Sequence, residues 1–327
     1  MREKLTKLKK LFKNQTENFL FLDYEDPHHF WLLGKELKNS YMLIRRTGKP
    51  ILLISPLENY KNPDFIIKPF EKENLPSKVL VNKSSFKIKH KSLFRIKEIE
   101  INIRDVKSKK EILFIKKACS LADECFNLIW LNIKKKKYKK EKDIEQEINL
   151  FAAKNNLELA FKPIVASGKN SSIPHHDNSS KLTNGFLVID LGFKYKGYCS
   201  DATRTFYLGK PSKKEKELYE LVLQAQQKII LDIYPGVQEK TLKNNIEEYL
   251  KDEHKYFIHS LGHGIGVEVH EFPLIGKTNT KLKENQVITI EPGVYKKQGI
   301  RIEDVVVVAN KPEILTSFTK DLLIANL

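Results

Sequence analysis

The chain has 327 residues, of which 41% are hydrophobic and 30% are charged, and its formal net charge at pH 7 is +17. This composition is typical of a globular protein with one large or two smaller domains, and it excludes an intrinsically disordered chain. No apolar run approaches the ~20 residues of a transmembrane helix, so we expect no membrane association. The three cysteines, Cys119, Cys125 and Cys199, lack disulfide-type and metal-type spacing, which favours a reducing cytoplasm.

Residues 1–104 have the pattern of a small α/β domain. An apolar stripe at helical spacing runs through residues 4–13. Four short apolar runs are strand candidates, namely FLFL, YMLI, ILLI and KVLV, which begin at Phe19, Tyr41, Ile51 and Lys78. The basic N-terminus lacks the apolar segment of a signal peptide, so we expect none.

Lysines are spread along the whole chain, with the densest run, KKKKYKK, at residues 134–140. A run of this kind can contact a nucleic-acid backbone. Because no nucleic-acid-binding motif accompanies it, we interpret residues 134–140, the basic loop, as a solvated connection between two helices. We therefore expect no specific nucleic-acid partner.

Four acidic residues of the C-terminal half lie in apolar, β-branched sequence that should form buried strands: Asp190, Asp201, Glu291 and Glu303. A buried carboxylate is costly unless it is paired or bound to a metal ion. Two divalent cations would balance four negative charges. The sequence therefore predicts a dinuclear metal site in residues 105–327.

The spacing of these acids predicts two hairpins. The midpoint between Asp190 and Asp201 falls between residues 195 and 196, in a turn-like segment, so a hairpin centred there would place the two aspartates directly opposite each other. Glu291 and Glu303 repeat the arrangement around Lys297, with Gly299 available for the turn. Directly opposed like charges destabilise a sheet, and a cation between them reverses this effect.

The two hairpins also indicate an internal duplication. Glu291 lies 101 residues after Asp190, and Glu303 lies 102 residues after Asp201. A pair of predicted helices precedes each hairpin. In the first pair one helix covers about 109–133 and the other starts near residue 143. In the second pair one helix starts at a capping box at Ser212 and the other covers about 240–251. The repeat predicts pseudo-twofold symmetry, with the metals at the shared cleft.

The motifs that carry these acids, together with the histidine-containing segments, resemble those of the pita-bread dinuclear metallopeptidases, the group of methionine aminopeptidase, aminopeptidase P and prolidase. The resemblance is strong from about residue 108 to 327, in SGKNSSIPHH, VIDLGFKYKGYCSDATRTF, FIHSLGHGIGVEVHE, ITIEPGVY and GIRIEDVVVV, and weaker over 1–102. It implies an α+β fold, with a pita-bread catalytic domain over 105–327 that follows a small N-terminal domain over 1–104. This arrangement resembles aminopeptidase P and prolidase, whereas methionine aminopeptidases generally lack the first domain.

The resemblance also implies roles for single residues. The family's metal ligands match Asp190, Asp201, His263, Glu291 and Glu303. The implied catalytic residues are His175, His270 and Glu291, and the implied substrate-binding residues are His259, His270 and Arg301. His176 competes with His175 for the catalytic role, and we favour His175 because it directly follows Pro174. Arg301 could also bind a free substrate carboxylate, since its planar fork matches that group.

An oxygen-rich donor set with a single imidazole favours Mn²⁺ or Fe²⁺, with Co²⁺ and Zn²⁺ possible. The family resemblance implies hydrolysis of the N-terminal Xaa-Pro bond of a dipeptide or short peptide by a metal-bridging hydroxide, and it leaves the choice between these substrates open. It also implies a homodimer. The alternatives are a methionine-aminopeptidase-like or creatinase-like hydrolase, or a non-catalytic binding protein on the same fold.

Overall fold

The computed structural model describes residues 1–55, 57–58, 60–83 and 94–327. These residues form two compact units, Met1–Arg104 and Asp105–Leu327. None of the helices in the described ranges combines the length and the apolar character that a membrane span requires.

The first unit is built around a mixed sheet with the strand order β4-β3-β2-β1-β5-β6. Its strands are β1 (Phe19–Asp23), β2 (Tyr41–Arg45), β3 (Ile51–Ile54), β4 (Ile66–Pro69), β5 (Lys78–Asn82) and β6 (Arg95–Ile99), and its helices are α1 (Arg2–Lys10) and α2 (Pro27–Leu33). The predicted helix and the four predicted strands are confirmed. Strands β4 and β6, at the two edges of the sheet, escaped prediction because neither contains a run of buried apolar residues.

Four long helices of the second unit follow the predicted pattern. They are α3 (Lys109–Lys134), α4 (Glu141–Lys154), α5 (Lys213–Leu231) and α6 (Glu239–Leu250). Both α3 and α5 begin with a capping box, in which a serine and the glutamate three residues later satisfy each other's backbone N–H groups. The pairs are Ser108 with Glu111 in α3 and Ser212 with Glu215 in α5. Helix α5 ends four residues before Pro235, earlier than the Pro-Gly signal indicated.

The strands of the second unit form two main sheets, β20-β12-β9-β8 and β14-β13-β15-β18-β19, and two small ones, β11-β10-β7 and β16-β17. In chain order they are β7 (Glu158–Leu159), β8 (Ile164–Ser167), β9 (Gly185–Leu191), β10 (Phe193–Tyr195), β11 (Tyr198–Cys199), β12 (Ala202–Leu208), β13 (Gly262–Gly264), β14 (Glu271–Ile275), β15 (Val287–Ile290), β16 (Gly293–Tyr295), β17 (Gly299–Arg301), β18 (Asp304–Val307), β19 (Glu313–Ile314) and β20 (Ile324–Ala325). Helices α3 and α4 share one apolar core with β9 and β12, and α5 and α6 share another with β15 and β18.

The two halves of this unit repeat one topology, as the spacing predicted. In the first half β9 pairs antiparallel with β8 and β12, and in the second half β15 pairs antiparallel with β13 and β18. Isolated bridges before α4 and α6 also correspond, Lys140 with Lys181 and Gln238 with Lys281. The acids of both hairpins therefore come from equivalent places in two related halves.

The register of the first hairpin differs from the predicted one. Asp190 pairs with Thr203, and the turn consists of Lys196 and Gly197, so its centre lies one residue further along the chain. Both turn residues have positive φ, 49° and 76°, which is the geometry of the tight two-residue turn that matches strand twist. Moving the centre by one residue moves the pairing partner of Asp190 by two, from Asp201 to Thr203. Because an even shift keeps side chains on the same face of the sheet, Asp190 and Asp201 remain on one face as diagonal neighbours.

The second hairpin has the predicted register. Ile290 pairs with Asp304 on one side of the acids and Gly293 pairs with Arg301 on the other, which places Glu291 opposite Glu303 in the short gap between the two ladders. The turn covers residues 296–298, and Gly299 pairs within the ladder instead of forming the turn.

Candidate active site

The two hairpins are joined at the residues that carry the acids. The backbone N–H of Glu303 donates to the carbonyl oxygen of Thr203 at 3.1 Å, which links the start of β18 to β12. Arg204, whose side chain is fully buried, donates to the carbonyl oxygen of Glu303 at 2.6 Å and to the carboxylate of Asp304 at 2.8 Å. These contacts bring the acidic ends of the two halves together.

His263 lies at the centre of the acidic cluster. Its Nε2 is 3.6 Å from Asp201 Oδ2 and 3.6 Å from Glu291 Oε1. Potential ligand atoms of Asp201, His263 and Glu303 lie within 4.8 Å of one another. The other ring nitrogen of His263, Nδ1, lies 3.1 Å from the carbonyl oxygen of Gly264. Donation at that position fixes the tautomer that leaves Nε2 free to bind a cation.

Glycines on both sides of His263 allow this position. A Cβ atom added to Gly262 would clash with the carbonyl oxygen of Thr289, and one added to Gly264 would clash with the carbonyl oxygen of Phe272. Strand β13 therefore packs between β14 and β15 closely enough to bury the imidazole. His263 is therefore the central residue of a short strand with a glycine on each side.

Burial and repulsion between carboxylates outweigh the attraction of the Arg301 guanidinium in the acidic cluster. Burial raises the pKa of Asp201 well above its usual value, and repulsion from Glu303, Asp190 and Glu291 raises it further. Burial and the neighbouring carboxylates likewise raise the pKa of Glu303 well above its usual range, and burial raises that of Glu291 to about 8. Burial also lowers the pKa of His263 to about 4, which keeps its imidazole neutral at pH 7.

Asp190 is the last of the predicted metal ligands, and one of its two carboxylate oxygens has no hydrogen-bond partner. Its Oδ2 accepts a hydrogen bond of 2.6 Å from Arg301, while its Oδ1 is buried with no hydrogen-bond partner. An unpartnered carboxylate oxygen in a protein interior costs free energy unless a ligand satisfies it. The four carboxylates and the neutral imidazole are the donor types that divalent cations take, so the residues present fit the dinuclear site that the sequence predicted.

Two adjoining cavities reach this cluster. The smaller, about 230 Å³, is lined by the five predicted metal ligands together with His175, His270 and Arg301. The larger, about 820 Å³, shares His175, His263, His270, Glu291 and Arg301 with the smaller and is also lined by His259. The nine residues that the sequence favoured for metal binding, catalysis and substrate binding therefore all line these two cavities, whereas the rival His176 does not.

The histidines differ in what they contact. His175 and His270 are exposed to the cavities. Partial burial lowers the pKa of His270, and the nearby His175 and Lys277 add to this effect against the attraction of Asp190. His259 is half-buried, with Nδ1 2.8 Å from the carbonyl oxygen of Ser260 and Nε2 2.9 Å from the hydroxyl of Tyr295. Both of its nitrogens are therefore engaged within the protein.

His176 points away from the cavities. Its Nε2 lies 2.8 Å from the carboxylate of Glu141, which is completely buried and also accepts hydrogen bonds from Ser167 and Asn170. Glu141 thus anchors the loop that carries both histidines. Of the two, only His175 lines the cavities.

Sequence reasoning missed two residues that organise the site. Thr203 donates from Oγ1 to Glu303 Oε2 at 2.7 Å and accepts from Arg301 Nε at 3.0 Å. The hydroxyl of Tyr295 bridges His259 and Arg301. Both residues lie within motifs that carry the ligands, two residues after Asp201 and four after Glu291, so their position in those motifs was the available signal.

Known proteins are similar to this chain in sequence and in fold. Residues 114–310 match the model of metallopeptidase family M24. A Xaa-Pro dipeptidase of Pyrococcus horikoshii is 35% identical over 352 aligned positions, which cover 97% of this chain and 98% of that protein. The crystal structure of the prolidase from P. horikoshii OT3 superposes on this chain with a TM-score of 0.86 at 31% identity. The superposition covers 98% of this chain and 100% of the prolidase chain. The X-Pro aminopeptidase of Thermotoga maritima superposes with a TM-score of 0.81 at 29% identity, over 94% and 97%.

Proposed function

The chain belongs to metallopeptidase family M24, has the predicted α+β pita-bread fold and is a peptidase; on this basis we propose that it hydrolyses the Xaa-Pro bond of dipeptides. The observation that carries the proposal is the convergence of four carboxylates and His263 beside a cavity that His175, His259 and His270 line. The substrate assignment is supported by the P. horikoshii relative, which is named a Xaa-Pro dipeptidase and aligns with this chain over nearly its whole length.

In this proposal Asp190, Asp201, His263, Glu291 and Glu303 hold two divalent metal ions. The unpartnered Oδ1 of Asp190 and the mutual repulsion of the carboxylates support this assignment. Bound cations would supply Lewis-acid polarisation of the scissile carbonyl and a more acidic water. The protein itself supplies the ligand positions, because both hairpins are fixed by contacts between the two halves.

Glu291 moves the proton in the proposed reaction. Among the four carboxylates, Glu291 is the one that lines both cavities, and 15% of its side chain is exposed, against 7% for Asp201. Its carboxylate would accept a proton from the attacking water and pass it to the leaving nitrogen. His175 and His270, which are exposed to the same cavities, would donate hydrogen bonds to the developing oxyanion.

Substrate binding is proposed for the wall that His259 and His270 line. Apolar residues of the same cavity, among them Leu261 and Leu274, give a surface suited to the pyrrolidine ring. We propose a narrower role for Arg301 than the sequence indicated. Its guanidinium is buried and donates to Asp190, Thr203 and Tyr295, so it positions Asp190 and does not receive a substrate carboxylate.

Four finer points remain proposals. The oxygen-rich donor set favours Mn²⁺, which metal replacement would test. The compact units support a small N-terminal domain over 1–104 and a catalytic domain over 105–327. Three free, buried cysteines suit the cytoplasm. The homodimer rests on family resemblance, and light scattering would test it.

The proposed function is tested with the purified full chain after metal removal and reloading. We expect Mn²⁺ to restore hydrolysis of an Xaa-Pro dipeptide, with far slower hydrolysis of the matching Xaa-Ala dipeptide. An Xaa-Pro-Yaa tripeptide separates a dipeptidase from an aminopeptidase, and a Met-Ala-Yaa peptide tests the methionine-aminopeptidase alternative. Release of N-terminal methionine without Xaa-Pro cleavage would overturn the substrate assignment.

A further inference from the structure

The larger cavity has a positively charged end that the proposed mechanism does not use. Three cationic side chains line this cavity, Lys243, Lys277 and Arg301. Arg301 is committed to Asp190 at 2.6 Å and is buried. The charges that could meet an anionic part of a substrate are therefore those of the two lysines.

Lys277 is held at the end of the wall that begins with His270. His270 directly precedes β14, whose Leu274 and Ile275 line the cavity, and the chain then turns at Gly276 and Lys277. The backbone N–H of Lys277 donates to the carbonyl oxygen of Leu274 at 3.0 Å. The next residue, Thr278, donates from its hydroxyl to the buried carboxylate of Glu239 at 2.6 Å. The backbone of this turn is thus fixed on both sides, while the Lys277 side chain is exposed.

Lys243 lies beside this turn. It projects from α6, and a Cβ atom added to Gly276 would lie 3.3 to 3.5 Å from Cβ, Cγ and Cδ of Lys243. The aliphatic stem of Lys243 therefore rests on the glycine that precedes Lys277. Gly276 has a φ of +89°, so a larger residue there would be strained as well as crowded.

The charge of this end is positive overall. Lys243 Nζ lies 4.0 Å from the carboxylate of Glu247, one turn further along α6 and also on the cavity wall. Exposed pairs at this spacing on a helix are weak. Glu247 compensates for at most one of the two lysines, and Lys277 forms no ion pair with any residue that the structure describes.

We infer that Lys277, with Lys243 beside it, receives the C-terminal carboxylate of a short Xaa-Pro substrate; this inference rests on the proposed function. An Xaa-Pro dipeptide presents an apolar ring followed directly by a carboxylate. The cavity wall presents the same order, with apolar side chains between His270 and the two lysines. The lysines would distinguish short peptides with a free carboxylate from peptides whose C-terminus is blocked or distant.

The test compares the dipeptide alanyl-proline with its C-terminal amide. In the double variant Lys243→Gln with Lys277→Gln we expect the KM for the dipeptide to rise roughly tenfold, with little change in kcat and in the KM for the amide. The KM of the unmodified protein for the dipeptide should also rise with ionic strength, and that of the variant should rise less. The matched control is Lys240→Gln, which removes one charge from α6 outside the cavity.

Equal effects on dipeptide and amide, or none on either, would overturn the inference. If the unmodified protein bearing Mn²⁺ hydrolyses no Xaa-Pro peptide, the proposed function fails on its own. Calorimetric binding of alanyl-proline and its amide then still tests the lysines. Dipeptide binding that the double variant loses selectively would support them, and its absence in the unmodified protein would refute them.

Discussion

Arg301 Nη2 donates a hydrogen bond of 2.6 Å to Asp190 Oδ2, and the two residues lie 111 positions apart in the sequence. The contact joins β17 of the second half to β9 of the first, at the point where the acidic residues converge. It satisfies one oxygen of Asp190 and leaves the other, Oδ1, without a partner. The arginine thus fixes which carboxylate oxygen faces the candidate metal site.

Replacing Arg301 by Gln should destabilise the metal-free protein. Removing one partner of a buried ion pair typically costs about 3–5 kcal/mol because the remaining charge is left uncompensated. Added Mn²⁺ should recover part of the loss, since a cation neutralises the same carboxylate. Thermal unfolding followed by circular dichroism with and without Mn²⁺ measures both effects. Arg95→Gln, at an exposed position of β6, is the control, and equal shifts in the two variants would contradict this role.

Asp201→Asn should reduce metal content and peptidase activity together. The change removes a negative charge and a ligand atom at the centre of the cluster, where Asp201 Oδ2 lies 3.6 Å from His263 Nε2. Metal analysis of the purified variant, alongside its rate with the Xaa-Pro dipeptide, tests this. The exposed Asp252→Asn should change neither. Full metal occupancy in the Asp201 variant would show that this residue is not a ligand.

The two adjacent histidines should give different phenotypes. His175→Ala should lower kcat by roughly 10²–10⁴ while metal content and thermal stability stay close to normal, because its side chain is exposed to the cavities. His176→Ala should instead lower thermal stability, because it leaves the buried carboxylate of Glu141 with one hydrogen bond fewer. The reverse pattern of kcat and stability would transfer the catalytic role to His176.

A buried ion pair should hold the loop between His263 and His270. Lys107 Nζ lies 3.0 Å from Glu271 Oε2, with 2% and 3% of the side chains exposed, and Glu271 Oε1 accepts the backbone N–H of Val267 at 3.0 Å. Lys107→Met should therefore lower the free energy of unfolding by about 3–5 kcal/mol. Combining it with Glu271→Gln should recover part of the loss, because no isolated charge then remains buried. A double variant less stable than Lys107→Met would contradict this account.

The basic loop should be dispensable for catalysis. Its lysines are exposed, as predicted. Replacing Lys135, Lys139 and Lys140 by Gln leaves intact Lys137, which pairs with Glu147 at 2.5 Å. We expect Xaa-Pro turnover to stay within about twofold, since exposed substitutions of this kind rarely change stability by more than ~0.5 kcal/mol. A salt-sensitive affinity for nucleic acid that disappears in this variant would show instead that the loop is a binding surface.

Local sequence pattern determined which residues could form the site. Buried acids, strand composition and the offsets of about one hundred residues identified Asp190, Asp201, Glu291 and Glu303 and the symmetry that brings them together. These signals are readable because periodicity, capping and charge burial act over a few residues. The register of the second hairpin followed in the same way, since its turn is centred on Lys297.

Tertiary structure decided how the site residues are divided among roles. Asp190 faces Thr203 because Lys196 and Gly197 both adopt positive φ, which spacing alone did not show. Arg301 became the partner of Asp190, and His176 that of Glu141, through contacts between residues 111 and 35 positions apart. Sequence specifies which donors and acceptors a chain carries, but only the packing of distant strands and loops determines which of them meet in a buried, low-dielectric interior, where each polar group must find a partner.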